Sequence, residues 1–230
     1  LREFPIDSIN GEPDLNKQII LLNSFDLIIL AKPRQRFSEL DIWLIDQYLM
    51  NNGKGIFMLD AVYADMDSLS YSPEFLAYPI LDRINLSDPL FNYGVRINTS
   101  LIQDMVCATL NDRKSIIPWL YFPLILPQTD HPIGKNLNAI KLEFATAMDS
   151  IRAIGVRKTP LLFTSPYSRR QSMPGRVSLA TLYNEPDQSK FVDKSLITAI
   201  LLEGALPSFY ANRILQKTNF QSPPKKASNA

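Results

Sequence analysis

One cysteine and one histidine among 230 residues exclude a zinc site of the Cys/His type, which needs three or four such ligands, and they exclude an intramolecular disulfide. With no disulfide to read, cysteine usage does not decide between a reducing and an oxidising compartment. Glycine is scarce too: eight residues, about half the usual share. Neither Gly-x-x-x-x-Gly-Lys-Ser/Thr nor Gly-x-Gly-x-x-Gly occurs, so the chain is no motor ATPase and carries no dinucleotide fingerprint. There is no Gly-x-Ser-x-Gly elbow for a serine hydrolase. The richest apolar stretch, residues 19–30, is broken by Asn23, Ser24 and Asp26 and is too short to cross a bilayer. Basic and acidic residues number 24 and 23, a balance that speaks against nucleic acid as a partner. The chain begins at Leu1 with no charged n-region ahead of an apolar h-region, and the expectation is an excised fragment.

What is present reads as an ordinary globular composition, 46% hydrophobic and 20% charged, with 17 prolines punctuating its loops. Residues 15–23 have helical spacing, and 26–31 form a continuous apolar run of the kind expected for a strand buried on both faces. Ser38 with Asp41 is an N-cap signature, and Asn51-Asn52-Gly53 supplies a C-cap, so the spacing predicts a helix over 38–52. Residues 55–60 make the next apolar strand. Strand, helix and strand in this span predict a right-handed βαβ unit in a parallel sheet, and the fold class expected is α/β. Trp43 and Met50 fall opposite the helix's main apolar stripe, where they require either packing within the domain or a partner surface anchored by tryptophan.

Residues 61–89 read as a long loop, followed by a short helix ending at Gly94. The pattern then predicts strands at 95–98 and 105–110 around a turn of helix at 99–104, a short helix at 131–137, and strands at 119–122, 140–145, 161–164, 177–182 and 197–202. No Gly/Ser linker interrupts residues 1–216, so one elaborated unit with sub-regions 14–112 and 113–216 is expected, then a disordered polar tail at 217–230.

Little of this sequence suggests catalysis. Cys107 and His131 are the sole thiol and imidazole, but the cysteine lies mid-strand without a sharp glycine turn, a setting typical of a buried structural thiol. Asp60, Asp65 and Asp67 follow a strand end, where open α/β sheets place ligands, yet their spacing matches no calcium loop and no metal or other cofactor is expected. The same strand-end crevice holds Lys32 and Arg34, with Tyr63, Tyr71 and Tyr78 as stacking faces for a small ligand. Arg152, Arg157, Lys158, Arg169, Arg170 and Arg176 give the later chain a basic excess suited to a solvated face or an acidic protein partner.

The run Phe25-Asp-Leu-Ile-Ile-Leu-Ala-Lys-Pro33, then Asp46-Gln-Tyr48, Met58-Leu-Asp-Ala61, Leu90-Phe-Asn-Tyr-Gly-Val-Arg-Ile-Asn98, Pro118-Trp-Leu-Tyr-Phe-Pro-Leu124, Lys141-Leu-Glu-Phe-Ala145 and Leu201-Leu-Glu-Gly204 resembles, in the same order, the GldG family of gliding-associated auxiliary components of bacterial ABC transporters. The resemblance implies a Rossmann-like or flavodoxin-like, mostly parallel sheet flanked by helices, with a strand-rich C-terminal half. It implies a periplasmic, non-catalytic domain of an inner-membrane protein, anchored by helices outside these residues and linked to gliding motility and type IX secretion. The partners implied are an ABC permease subunit and a cytoplasmic ATPase subunit. A second copy of the chain and a carbohydrate or peptidoglycan fragment are the further candidates for what it binds. The contact surfaces expected are Lys32, Arg34, Trp43, Asp60, Tyr63, Asp65 and Asp67.

Overall fold

The computed structural model describes residues 8–9, 12–111, 115–127 and 129–213, so the tail expected at 217–230 lies outside the described residues. The described chain enters through a hairpin of β1 (Ser8–Ile9) and β2 (Glu12–Pro13) and continues into α1 (Leu15–Leu22). Asp14 caps α1 by accepting from the Lys17 amide at 3.1 Å. Then come β3 (Leu27–Ala31), α2 (Glu39–Met50) and β4 (Lys54–Met58). Strands β3 and β4 pair in parallel from Leu27↔Lys54 to Ala31↔Met58, which is the βαβ unit read from the sequence. Helix α2 starts on a full capping box, with Ser38 Oγ accepting from the Asp41 amide at 3.2 Å and Asp41 Oδ2 accepting from the Ser38 amide at 2.8 Å.

Parallel pairing stops there, and the expected Rossmann-like or flavodoxin-like parallel sheet is not what the chain forms. The dominant element is an eight-stranded antiparallel sheet. Before it, residues 61–89 are not one long loop: they form β5 (Val62–Tyr63), α3 (Met66–Tyr71) and β6 (Glu74–Pro79), and then enter α4 (Ser87–Tyr93). Gly94 ends α4 at φ 100, where an added Cβ would sit 2.5 Å from the Lys158 side chain and 2.9 Å from that of Ala153. The large sheet is built from β7 (Val95–Asp104), β8 (Cys107–Asn111), β9 (Ile116–Pro127), β10 (Ile140–Lys141), β11 (Thr146–Ser150), β12 (Val156–Phe163), β13 (Ser168–Ser172) and, after β14 (Gly175–Ser178), β15 (Ile197–Gly204). Its order is β10-β9-β12-β15-β11-β7-β13, with β8 paired to β9. Strands β5, β6 and β14 make a separate antiparallel sheet in the order β14-β6-β5.

Several local expectations also give way in the folded chain, the first of them to long-range pairing. Residues 99–104 are the second half of β7 and not a turn of helix, because β11 and β13 take them into the ladder on either side. Residues 131–137 form turns without becoming a helix. The strand expected over 177–182 ends at Ser178 and passes into a 3₁₀ turn, Leu179–Leu182.

Three clusters of buried side chains hold these layers. One joins α1 and α2 to Tyr93 and to Leu206, Phe209 and Tyr210 beyond β15. A second centres on Trp119, Tyr121, Phe122 and Phe144 under β5, β6 and β14. The third packs Leu81, Ile84, Leu86 and Leu90 against Val95 and Ile97 of β7. The parallel unit is tied to the antiparallel sheet by a buried polar group: Asp46 of α2 accepts from Tyr93 Oη at 2.7 Å, Ser208 Oγ at 2.7 Å, the Phe209 amide at 2.8 Å and Gln47 Nε2 at 3.1 Å.

Candidate functional site

At the C-terminal ends of β3 and β4 the chain gathers a compact group of charged and aromatic side chains. Lys32 adopts φ 46, an uncommon conformation for lysine, and its amide donates to Met58 O at 2.8 Å. This extends the β3–β4 pairing past the strand and starts the loop that carries Arg34. Asp60, just beyond β4, meets both cations, with Lys32 Nζ at 3.6 Å and Arg34 Nη2 at 3.3 Å. The Arg34 guanidinium lies over the Tyr63 ring at 5.3 Å from its centroid. Tyr63 stacks on Tyr78 at 5.1 Å and 16°, because the two are directly opposed in the β5–β6 register. Arg83 lies over the Tyr78 ring at 5.4 Å. Two guanidinium groups thus bracket a tyrosine pair, and Asp60 is shared by the two neighbouring cations Lys32 and Arg34.

Four of the residues expected from sequence, Lys32, Arg34, Asp60 and Tyr63, therefore come together, with Tyr78 beside them. Arg83 was missed, and its signal lies only in the strand pairing that brings Tyr78 to Tyr63. Asp65 caps α3, its Oδ1 accepting from the Asp67 amide at 3.0 Å, and Asp67 sits in that helix's first turn. Among the described residues no three His, Cys, Asp or Glu side chains form a group able to hold a metal. Tyr71, the last residue of α3, is 92% exposed and does not take part in the tyrosine stack. Trp43 is 2% exposed within the core of α1, α2, Phe209 and Tyr210, so it packs inside the domain and presents no surface anchor.

Cys107 sits on β8, and burial, followed by the nearby Asp104 charge, pushes its thiol up to about 11. A nucleophile requires the opposite shift. We expect the native thiol to react with iodoacetamide at pH 8 at least roughly tenfold more slowly than in the urea-unfolded chain, since the thiolate fraction falls by more than nucleophilicity rises. Equal rates in the two states would contradict the half-buried, protonated thiol. His131 Nδ1 accepts from the Ile133 amide at 3.3 Å, a local turn bond.

The later basic residues do not form one patch. Arg157 pairs with Glu203 at 2.7 Å, Arg170 with Asp193 at 3.0 Å and Arg176 with Glu74 at 2.9 Å, while Arg169 Nε donates to Gln103 Oε1 at 2.6 Å. A largely open concavity of about 390 Å³ lies on β7 and β13, lined by Asn98, Thr99, Ser100, Arg170, Ser172 and Met173. Its charged member, Arg170, is already held by Asp193, and Asn98 Nδ2 donates to Asp149 Oδ2 at 3.2 Å.

Among the described residues no helix is long and apolar enough to cross a membrane. Comparison with curated proteins finds no match. A solved structure described as "mmIFT52 N-terminal domain" is similar at 14% identity and a TM-score of 0.46, over 82% of this chain and 71% of that one. A family model described as an ABC-type uncharacterized transport system matches residues 1–230. With the match running the full length, the chain belongs to this family of ABC-type transport-system auxiliary components.

Proposed function

We propose that this domain is a GldG-type, non-catalytic binding module of an ABC transport assembly that supports gliding motility and is linked to type IX secretion. In this reading it works in the periplasm at the inner membrane, held there by segments outside residues 1–230, and engages the permease subunit and, through it, the cytoplasmic ATPase. The observation that carries the binding role is the bracketed tyrosine pair, Arg34–Tyr63–Tyr78–Arg83, beside Lys32 and Asp60. Exposed guanidinium and ammonium groups held in fixed geometry suit an acidic protein surface. A carbohydrate or peptidoglycan fragment finds less to stack on, because each tyrosine ring already has the other ring and a guanidinium as neighbours.

The test is a mild-detergent purification of the full-length protein from its native cell, with the co-purifying subunits identified by mass spectrometry. Permease and ATPase should be recovered. Arg34→Glu should reduce their recovery severalfold while costing the domain only about 1 kcal/mol, for the ion pair with Asp60 and the stack on Tyr63 that it removes. Recovery of neither subunit from the wild type, together with a rise in melting temperature on adding cell-wall fragments, would replace this reading with a small-ligand receptor.

A further inference from the structure

The β3–β4 pair breaks a rule that parallel strands otherwise keep, burial on both faces. Its inner face, Ile28, Leu30 and Phe57, packs on the cores under α1, α2 and α4. Its outer face carries Leu27 at 42%, Ile29 at 46%, Ile56 at 46% and Met58 at 49% exposure. Ile29 stands directly opposite Ile56, and Met58 opposite Ala31, so these are neighbours on one surface and not scattered side chains. Among the described residues neither strand pairs with any other.

Charge frames this patch at both ends. Lys54, exposed and opposite Leu27, stands at the strands' N-terminal end; Lys32 and Arg34 stand at the C-terminal end, where Asp60 is, among the described residues, the one carboxylate in ion-pair contact with them. A second copy of this chain is a poor cover. Laid across the face with its strands antiparallel it sets Lys54 against Lys32 and Arg34, and with its strands parallel it sets each cationic end against itself.

We infer that this face is the seat of an amphipathic helix from a protein partner, with an apolar stripe along its middle and acidic residues at both ends. A helix is the usual cover for the face of a parallel sheet. Five strand residues span about 16 Å, which a helix crosses in about 11 residues, so the acids belong about three turns apart. The inference rests on the reading of the domain as a protein-binding module, and adds where and what it binds.

The test uses the 230-residue chain and a labelled 18-residue helical peptide, with leucine at i, i+3, i+4 and i+7 and two glutamates at each end. A control peptide carries lysines in place of the glutamates. Fluorescence anisotropy should show the glutamate-ended peptide binding at least tenfold tighter than the control. Ile56→Glu should weaken binding at least tenfold with an unchanged melting temperature, and Lys54→Glu should narrow the preference between the peptides. Equal affinities, absence of binding, or indifference to Ile56→Glu would each overturn the inference. So would self-association that Ile56→Glu abolishes, which assigns the face to a second copy, or binding confined to phosphatidylglycerol vesicles, which assigns it to a lipid surface. The co-purification of permease and ATPase is read separately, so failure here leaves that result standing.

Discussion

Asp46→Ala is expected to destabilise the domain by about 4 kcal/mol, because it removes the acceptor for four donors in a place water does not reach. Asp46 is 0% exposed. Its Oδ1 accepts from Tyr93 Oη and the Phe209 amide, and its Oδ2 from Ser208 Oγ and Gln47 Nε2. Burial, and then the Asp46 charge, raise the Tyr93 hydroxyl well above its ordinary value, so it remains a donor through neutral and mildly alkaline pH. The carboxylate joins α2 to residues 162 and 163 positions later in the chain. Tyr210 reinforces the same junction by donating to Glu39 O and Oε2, each at 3.0 Å. Without the acceptor, the Ser208 hydroxyl and the Phe209 amide lose their buried partner, and the segment after β15 loses its hold on α2. Urea unfolding should show the loss, and the melting temperature should fall by roughly 10 °C for a domain of this size. Asp46→Asn, with one carbonyl oxygen in place of two, should fall between the wild type and the alanine variant. A loss under about 1 kcal/mol for alanine would mean that the junction is held by apolar packing alone.

That junction marks where sequence reading stops. Ser38 and Asp41 announce α2 because both halves of a capping box lie within four residues. The β3–β4 pairing is legible for the same reason, since an apolar run, a capped helix and a second run fall within about 35 residues. The sequence offers no such local sign for Asp46, whose partners at Tyr93, Ser208 and Phe209 are brought to it only by the folded chain.

The parallel-sheet expectation failed for a related reason. A continuous apolar run reports that a segment has no polar face, which is met by burial on both sides or by an apolar face left open. In β3 and β4 one side is open, so the run does not require further parallel neighbours. The pairings at the centre of the antiparallel sheet are non-local: β12 lies between β9 and β15, and β7 between β11 and β13. Residues 99–104 read as a turn of helix, yet β7 is held there by neighbours far along the chain. The candidate site was half legible. A strand-end position pointed to Lys32, Arg34 and Asp60, while Arg83 depends on the register that sets Tyr63 opposite Tyr78.

Trp119→Ala is the second large effect, expected to cost about 4 kcal/mol through loss of a fully buried indole. Trp119 is 0% exposed and meets Tyr121, Phe122 and Phe144 edge-on at centroid distances of 5.4, 5.0 and 5.7 Å. Its Nε1 donates to Thr181 Oγ1 at 3.0 Å, which fastens the 3₁₀ turn after β14 to β9. Phe144 sits beside it at φ 51, a conformation an aromatic residue keeps only where surrounding packing leaves it no alternative. Removing the indole therefore empties the space that holds Phe144 in place and takes away the donor to Thr181 Oγ1, which keeps its own bond to Ser178 O at 2.7 Å. Trp119→Phe keeps an aromatic edge but no donor, and should cost about half as much. Urea titrations of the variants measure both changes. Trp119 and Asp46 lie in separate clusters, one under β5, β6 and β14 and the other around α2, so the double variant Asp46→Ala with Trp119→Ala should lose the sum of the single effects to within about 0.5 kcal/mol. A deviation beyond about 1 kcal/mol would show that the two clusters are coupled, so that loss of one side chain changes the packing around the other.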